Sequence, residues 1–260
     1  MLNRWFHPLC HRSAHRSFST PAPGCTASLI GLLVFVAALA SHAVHAGSFS
    51  ANPVRLTVPA GATSTSLLLE NTGDQPVLIQ AELMAWSQQD GNDVLTPSQD
   101  LVVSPPIFRI AAGASQTVRV GLLRPVATDR EMTYRVYLQE VPQPRAAGEQ
   151  GVSVALRLGL PIFVQPRSRA APQLAWRAKP EREGIMLSLT NSGNAHVQVL
   201  TCKLFREDGS LLGEQQLAGY VLPGQTRSWL IKTSQPWRGE KLKLTAQTAG
   251  GSVTAEIASD

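Results

Sequence analysis

Apolar residues fall at every second position in many short runs of this chain, and turn-forming residues separate the runs. The clearest run is GVSVALRLGLPIFV, Gly151–Val164. Val152, Val154, Leu156, Leu158, Leu160, Ile162 and Val164 alternate with Ser153, Ala155, Arg157, Gly159, Pro161 and Phe163. Successive side chains of a strand point to opposite faces, so strict alternation predicts a strand. At roughly 3.3 Å per residue it would reach about 40 Å, longer than most strands. Gly, Pro, Asn and Asp mark the turns, and no long stretch repeats with a helical period. The pattern predicts an all-β sandwich architecture.

The runs divide into two sets. The first covers 49–58, 63–70, 76–87, 94–103, 115–123, 131–141 and 151–164; the second covers 172–177, 184–190, 196–206, 211–218, 226–233, 240–248 and 251–257. Seven strands is the count of an immunoglobulin-like sandwich. The halves also resemble each other. LENTGDQPVLI (69–79) matches LTNSGNAHVQV (189–199), and IAAGASQTVRV (110–120) matches VLPGQTRSWLI (221–231). Turns of the Asn-Gly type are common in β proteins, so chance similarity stays open at this point. Two related domains explain it better: an immunoglobulin-like domain over 47–166 and a second over 167–260. The linker QPRSRAAP, Gln165–Pro172, is short and holds two prolines, which favours a bent and stiff connection. The expected fold is therefore all-β, two immunoglobulin-like β-sandwich domains in a bent, boomerang-like arrangement.

The N-terminal segment changes the reading of composition. Arg4, Arg12 and Arg16 precede the apolar run LIGLLVFVAALA, Leu29–Ala40, and small residues follow in SHAVHAGS. This predicts a secretory signal peptide over 1–46, cleaved after Ala46. The apolar run is short for a membrane span, so no stable membrane insertion is expected after cleavage, although an uncleaved anchor is the alternative. The mature chain would have 214 residues, 260 minus 46. Losing three arginines takes the net charge from +5 to +2, and no Lys/Arg run marks a nucleic-acid surface. Cys10 and Cys25 leave with the signal, and Cys202 remains as a small core residue in an apolar run.

The mature chain carries little catalytic chemistry. His196 is its only histidine and sits in a turn. No His-based metal cluster and no Gly-rich phosphate loop with its Lys is present. The acid pairs Glu181 with Glu183 and Glu207 with Asp208 lie in polar turns and read as solvated. The sequence is therefore read as a non-enzyme without metal or cofactor.

Four fragments carry a family resemblance. They are NPVRLTVPAG (52–61), SPPIFRIAAGASQTVRV (104–120), YRVYLQEVPQP (134–144) and GVSVALRLGLPIFVQP (151–166). In that order they resemble the first strand, the segment before strand E, strand F and strand G of periplasmic pilus chaperones of the chaperone–usher pathway. The resemblance covers 48–166 and thins over 170–260. It implies a periplasmic chaperone that binds, folds and caps pilus or fimbrial subunits by donor-strand complementation and delivers them to an outer-membrane usher. An incomplete subunit domain exposes unpaired strand edges, and a lent strand pairs with those edges while alternate side chains fill pockets. On this reading Val152, Val154, Leu156 and Leu158 are the donated row, and Leu160, Ile162 and Val164 stay in the chaperone's own core. Pro161 would stop regular pairing near the linker.

The resemblance also implies an anchor for the subunit's terminal carboxylate, made by an Arg of the first strand and a Lys of strand G. Arg55 occupies the first position, but Pro161 occupies the second. That departure points to a divergent branch, with Arg109 or Arg157 as candidates for the missing charge. The rival reading is a secreted two-domain structural or adhesive component of a surface fibre, in which the same strand would stay in the assembly.

Overall fold

The computed structural model describes residues 49–124, 128–142 and 154–257. The expected signal peptide and Val152 lie outside the described residues. The first ten strands are β1 (Phe49–Asn52), β2 (Leu56–Val58), β3 (Ser64–Asn71), β4 (Val77–Gln89), β5 (Asn92–Pro97), β6 (Leu101–Ser104), β7 (Ile107–Ile110), β8 (Ser115–Leu122), β9 (Met132–Glu140) and β10 (Arg157–Val164). They build two facing sheets. One has the order β1-β3-β8-β6; the other has the order β2-β10-β9-β4-β5, with β7 also paired to β4. Seven more follow: β11 (Leu174–Glu181), β12 (Gly184–Asn191), β13 (Val197–Arg206), β14 (Leu211–Val221), β15 (Thr226–Lys232), β16 (Leu242–Thr248) and β17 (Gly251–Ile257). These form β11-β12-β15 and β14-β13-β16-β17. Among the described residues no helix is long and apolar enough to cross a membrane.

Alternation sets the two cores. In the first sandwich Leu67 and Leu69 of β3, Val118 and Val120 of β8, Tyr134, Val136 and Leu138 of β9, and Leu160, Ile162 and Val164 of β10 point inward. In the second, Ile185, Leu187 and Leu189 of β12 meet Val199, Cys202 and Leu204 of β13 and Leu244 of β16. Burial pushes the Cys202 thiol up to about 12. A third, smaller cluster joins the sandwiches: Trp86, Phe163 and Leu222, with Tyr220 and Leu95 against them.

Three strand expectations are corrected. The run 49–58 is two strands in different sheets, because β1 pairs antiparallel with β3 while β2 pairs parallel with β10. The run 94–103 is likewise split between β5 and β6 by the turn at Ser98–Asp100, which Asp100 N–H closes on Ser98 Oγ. In the long run 151–164, regular strand begins only at Arg157. Strand β7 falls in a segment read as a lead-in to the next strand; two prolines before it hid its alternation.

The repeated fragments turn out to be one device used twice. Asn71 is fully buried, and its Nδ2 donates to the carbonyls of Gln75 at 2.7 Å, Ile110 at 3.2 Å and Ala111 at 3.1 Å, while Oδ1 accepts from Gly73 N. Asn191 is equally buried; its Nδ2 donates to the carbonyls of Ala195 and Val221, and its Oδ1 accepts from Gly193 N and Gln173 N. Each Asn backbone also exchanges hydrogen bonds with the later Gly turn, Gly113–Ala114 in one half and Gly224–Gln225 in the other. So the Asn-x-Gly turn of each half clamps its own Gly turn.

Candidate functional site

Strand β10 has unequal edges. On one side it pairs with β9 along its whole length, from Arg157–Gln139 to Val164–Met132. On the other, β2 covers only Ile162, Phe163 and Val164. Among the described residues, Arg157 to Pro161 have a strand neighbour on one side only. Pro161 therefore does not stop the pairing. Its ladder with β9 runs straight through it to Arg135, and pairing with β2 starts one residue later. An open edge is where a strand proline is tolerated, because no ladder there asks for its missing N–H.

The row expected to serve a partner grades from open to committed. Val154 is 70 % exposed. Leu156 and Leu158 are half-buried and rest against the first core. Leu160, Ile162 and Val164 lie inside that core. The Leu156 carbonyl accepts from Glu140 N at 2.9 Å, which ties the start of the strand to β9. On the opposite face, Gly159 leaves room for the Tyr137 ring, and the Arg157 guanidinium sits 4.2 Å over that ring and pairs with Glu82.

The charged candidates separate. Arg55 is exposed and lies one residue before Leu56, beside Pro161 in the β2–β10 register. Arg109 is not near it. Arg109 pairs with Leu78, the neighbour of Ile79, which pairs with Glu140; Arg55 lies by the Ile162–Tyr134 end. Tyr134 and Glu140 are six residues apart along β9, so Arg109 is about 20 Å away at 3.3 Å per residue. Arg157 is occupied by Glu82 and Tyr137. Neither can share a ligand with Arg55. The sequence reading missed Arg135, which stands directly opposite Pro161. Its signal is a cross-strand register, and no spacing along the chain encodes that.

The second sandwich closes one end of this face. The Phe163 ring stacks on His196 with centroids 3.5 Å apart, and Trp86 meets Tyr220 edge-on at 5.3 Å. Gln88 Nε2 donates to Tyr220 O, and its Oε1 accepts from Leu222 N at 3.0 Å. Glu131 Oε1 accepts from His196 N and lies 2.7 Å from His196 Nδ1. Burial holds the Tyr220 hydroxyl above the usual phenol range, against the opposing pull of Arg55 and Arg135. Among the described residues no group of His, Cys, Asp and Glu has the spacing of a metal site.

A family model described as the pili and flagellar-assembly chaperone, PapD N-terminal domain, matches residues 48–170. Chaperone protein HifB of Haemophilus influenzae is 30 % identical over 169 residues, 57 % of this chain and 68 % of HifB. Chaperone protein MrkB of Klebsiella pneumoniae is 26 % identical over 227 residues, covering 82 % of this chain and 91 % of MrkB. Among solved structures, the CsuC–CsuE chaperone–tip adhesion subunit pre-assembly complex from archaic chaperone-usher Csu pili of Acinetobacter baumannii contains a similar chain. The TM-score is 0.63 at 22 % identity, over 82 % of this chain and 99 % of that one. The Pseudomonas aeruginosa CupB2 chaperone is similar with a TM-score of 0.55 at 23 % identity, over 81 % of this chain and all of its own.

Proposed function

This chain belongs to the family of pilus assembly chaperones, and from that premise we propose that it lends the open half of β10 to an incomplete fimbrial subunit in the periplasm and passes the capped subunit to an outer-membrane usher. It is a chaperone of fimbrium biogenesis and not an enzyme. The observation that carries the proposal is the unequal edge of β10. Among the described residues, backbone groups from Arg157 to Pro161 face no strand on one side, while the rest of the strand is held between β9 and β2.

The proposed donor row is Val152, Val154, Leu156 and Leu158, and Arg55 is the proposed first half of the carboxylate anchor. Each apolar side chain moved into a subunit groove contributes roughly 1.5–3 kcal/mol before ordering costs. The signal peptide over 1–46 would deliver the chain to the periplasm, and the boundary at 166–167 would separate the strand-lending sandwich from its support.

The test is co-expression of the full chain with a fimbrial subunit in a bacterial periplasm, followed by co-purification. Leu156→Arg puts a charge where the subunit groove must be apolar, so subunit capture should fall to background while the chaperone itself remains soluble. Capture by Leu156→Arg at the parent's level would refute strand lending by this row.

A further inference from the structure

The register lines up Gly159 of β10, Tyr137 of β9 and Glu82 of β4 in one row across the outer face of the sheet. Gly159 stands at the open edge. The Leu156 carbonyl bonds toward β9 and the Gln165 N–H bonds toward β2. Backbone direction alternates along a strand, so the N–H and C=O of Gly159 point to the uncovered side. Residue 159 is therefore a bonding position for any strand laid on that edge, and it brings no side chain to the contact. A glycine inside a strand weakens it, and its use is often to let another backbone come close.

A neighbour fills the space that this glycine leaves. A Cβ on residue 159 would lie 2.8 Å from Cε1, 3.2 Å from Cδ1 and 3.5 Å from Cζ of Tyr137. The ring thus reaches from its own strand over β10, one strand spacing of about 4.8 Å. It is also held there. The Arg157 guanidinium lies 4.2 Å over the ring, and Arg157 Nη2 lies 3.5 Å from Glu82 Oε2. The first core does not use this ring: Val136 and Leu138, on either side of it in β9, carry the inward face. Tyr137 is half-buried on the opposite face, and a ring already fixed loses little freedom when a partner touches it.

We propose that Tyr137 is a specificity-determining residue for the captured subunit. Its ring packs against the outward-facing side chain that the subunit's edge strand brings alongside Gly159, and it selects an aromatic or branched aliphatic residue there over a small one. The inference rests on the strand-lending reading, which lays a subunit strand along the open half of β10. A strand on that edge lies two spacings from β9, about 10 Å, and the ring reaching over Gly159 spans half of that gap. Aromatic rings pair well across strands with other rings and with β-branched side chains. The inward row of Leu156 and Leu158 asks only for apolar pockets, whereas the outward row can tell one subunit from another.

The test uses the full chain co-expressed in a bacterial periplasm with a fimbrial subunit that the parent captures, and it reads subunit co-purified per soluble chaperone. The residues of the subunit's edge strand are changed to alanine one at a time, and each version is offered to the parent, Tyr137→Phe, Tyr137→Ala and Leu156→Arg. Tyr137→Phe should capture like the parent, because the ring makes the contact, and Tyr137→Ala should capture about fivefold less. At one outward subunit position, alanine should lower capture by the parent about fivefold and leave capture by Tyr137→Ala unchanged. Capture by Tyr137→Ala at the parent's level, with Leu156→Arg inactive, overturns the selecting role and leaves strand lending standing. Loss in Tyr137→Ala that simply adds to the loss at every subunit position also overturns it, because Tyr137 would then only steady Arg157. Normal capture by Leu156→Arg overturns strand lending, and the selecting role with it.

Discussion

Asn71 and Asn191 each satisfy several buried backbone groups with one short side chain. Truncation would leave the buried carbonyls of Ile110, Ala195 and Val221 and the buried N–H of Gly193 without their partner, each costing about 1–3 kcal/mol. Asn191→Ala should therefore destabilise the second sandwich by about 3 kcal/mol, and Asn71→Ala the first by a similar amount, read from urea unfolding midpoints. Both turns were legible as repeated fragments, but the bond between them was not. Asn71 reaches the carbonyl of Ile110 across 39 residues, and a backbone carbonyl leaves no mark on the sequence. Cys202 was read as a core residue and is buried. Its thiol is held near 12, against about 8.5 when unfolded, so the neutral form favours the fold. That contribution is complete below about pH 8.5 and is lost as pH rises from there toward 12, because only the unfolded chain then ionises. Thiol reagents at pH 8 should leave native Cys202 unlabelled and label it at the rate of unfolding; fast labelling of the native protein would contradict the burial.

Alternation identified most strands, since a sandwich buries one face of each and period two is then unavoidable. It could not say where a strand changes sheets. In the run 49–58 the inward positions change from Phe49 and Ala51 to Leu56 and Val58 across the switch at 53–55, and the two parts pair in different sheets. Nor could it say which edge of a strand is covered. The alternation of 151–164 is uniform, yet its backbone is paired on two sides only after Pro161. Arg109 was chosen from a motif along the chain, while Arg135 follows from pairing across it. At this scale Gly159 is diagnostic: a Cβ there would lie 2.8 Å from Tyr137 Cε1. Gly159→Ala should push the ring off its seat under Arg157 and cost about 1 kcal/mol, even though alanine is no worse a strand former. An unchanged denaturation midpoint would show that the ring gives way freely.

The two sandwiches meet through few residues of mixed character. Phe163 stacks on the one histidine of the described residues and touches Trp86 and Tyr220, and Gln88 bonds backbone atoms of Tyr220 and Leu222. The sequence placed His196 correctly in a turn but could not reveal its partner, because Glu131 and Phe163 lie far away along the chain. Phe163→Ala should cost about 3–5 kcal/mol and remove the ring that stacks on His196 and packs against Trp86. Differential scanning calorimetry should then resolve two transitions where the parent gives one; a single transition would mean the remaining contacts, Trp86 on Tyr220 and the bonds of Gln88 and Glu131 among them, suffice to couple the sandwiches.

Phe163 and Leu156 sit on one continuous piece of backbone, and extended backbone hardly stretches. Tension applied to the open end of β10 passes along the strand, through Pro161, and arrives at a ring wedged between two sandwiches. The strand is loose at the end where another chain would grip it and bolted at the other. On the proposed strand-lending reading, a rival strand that displaced a partner from residues 154–160 would work against a fixed post, because Leu160, Ile162, Phe163 and Val164 are held in the chaperone's own packing.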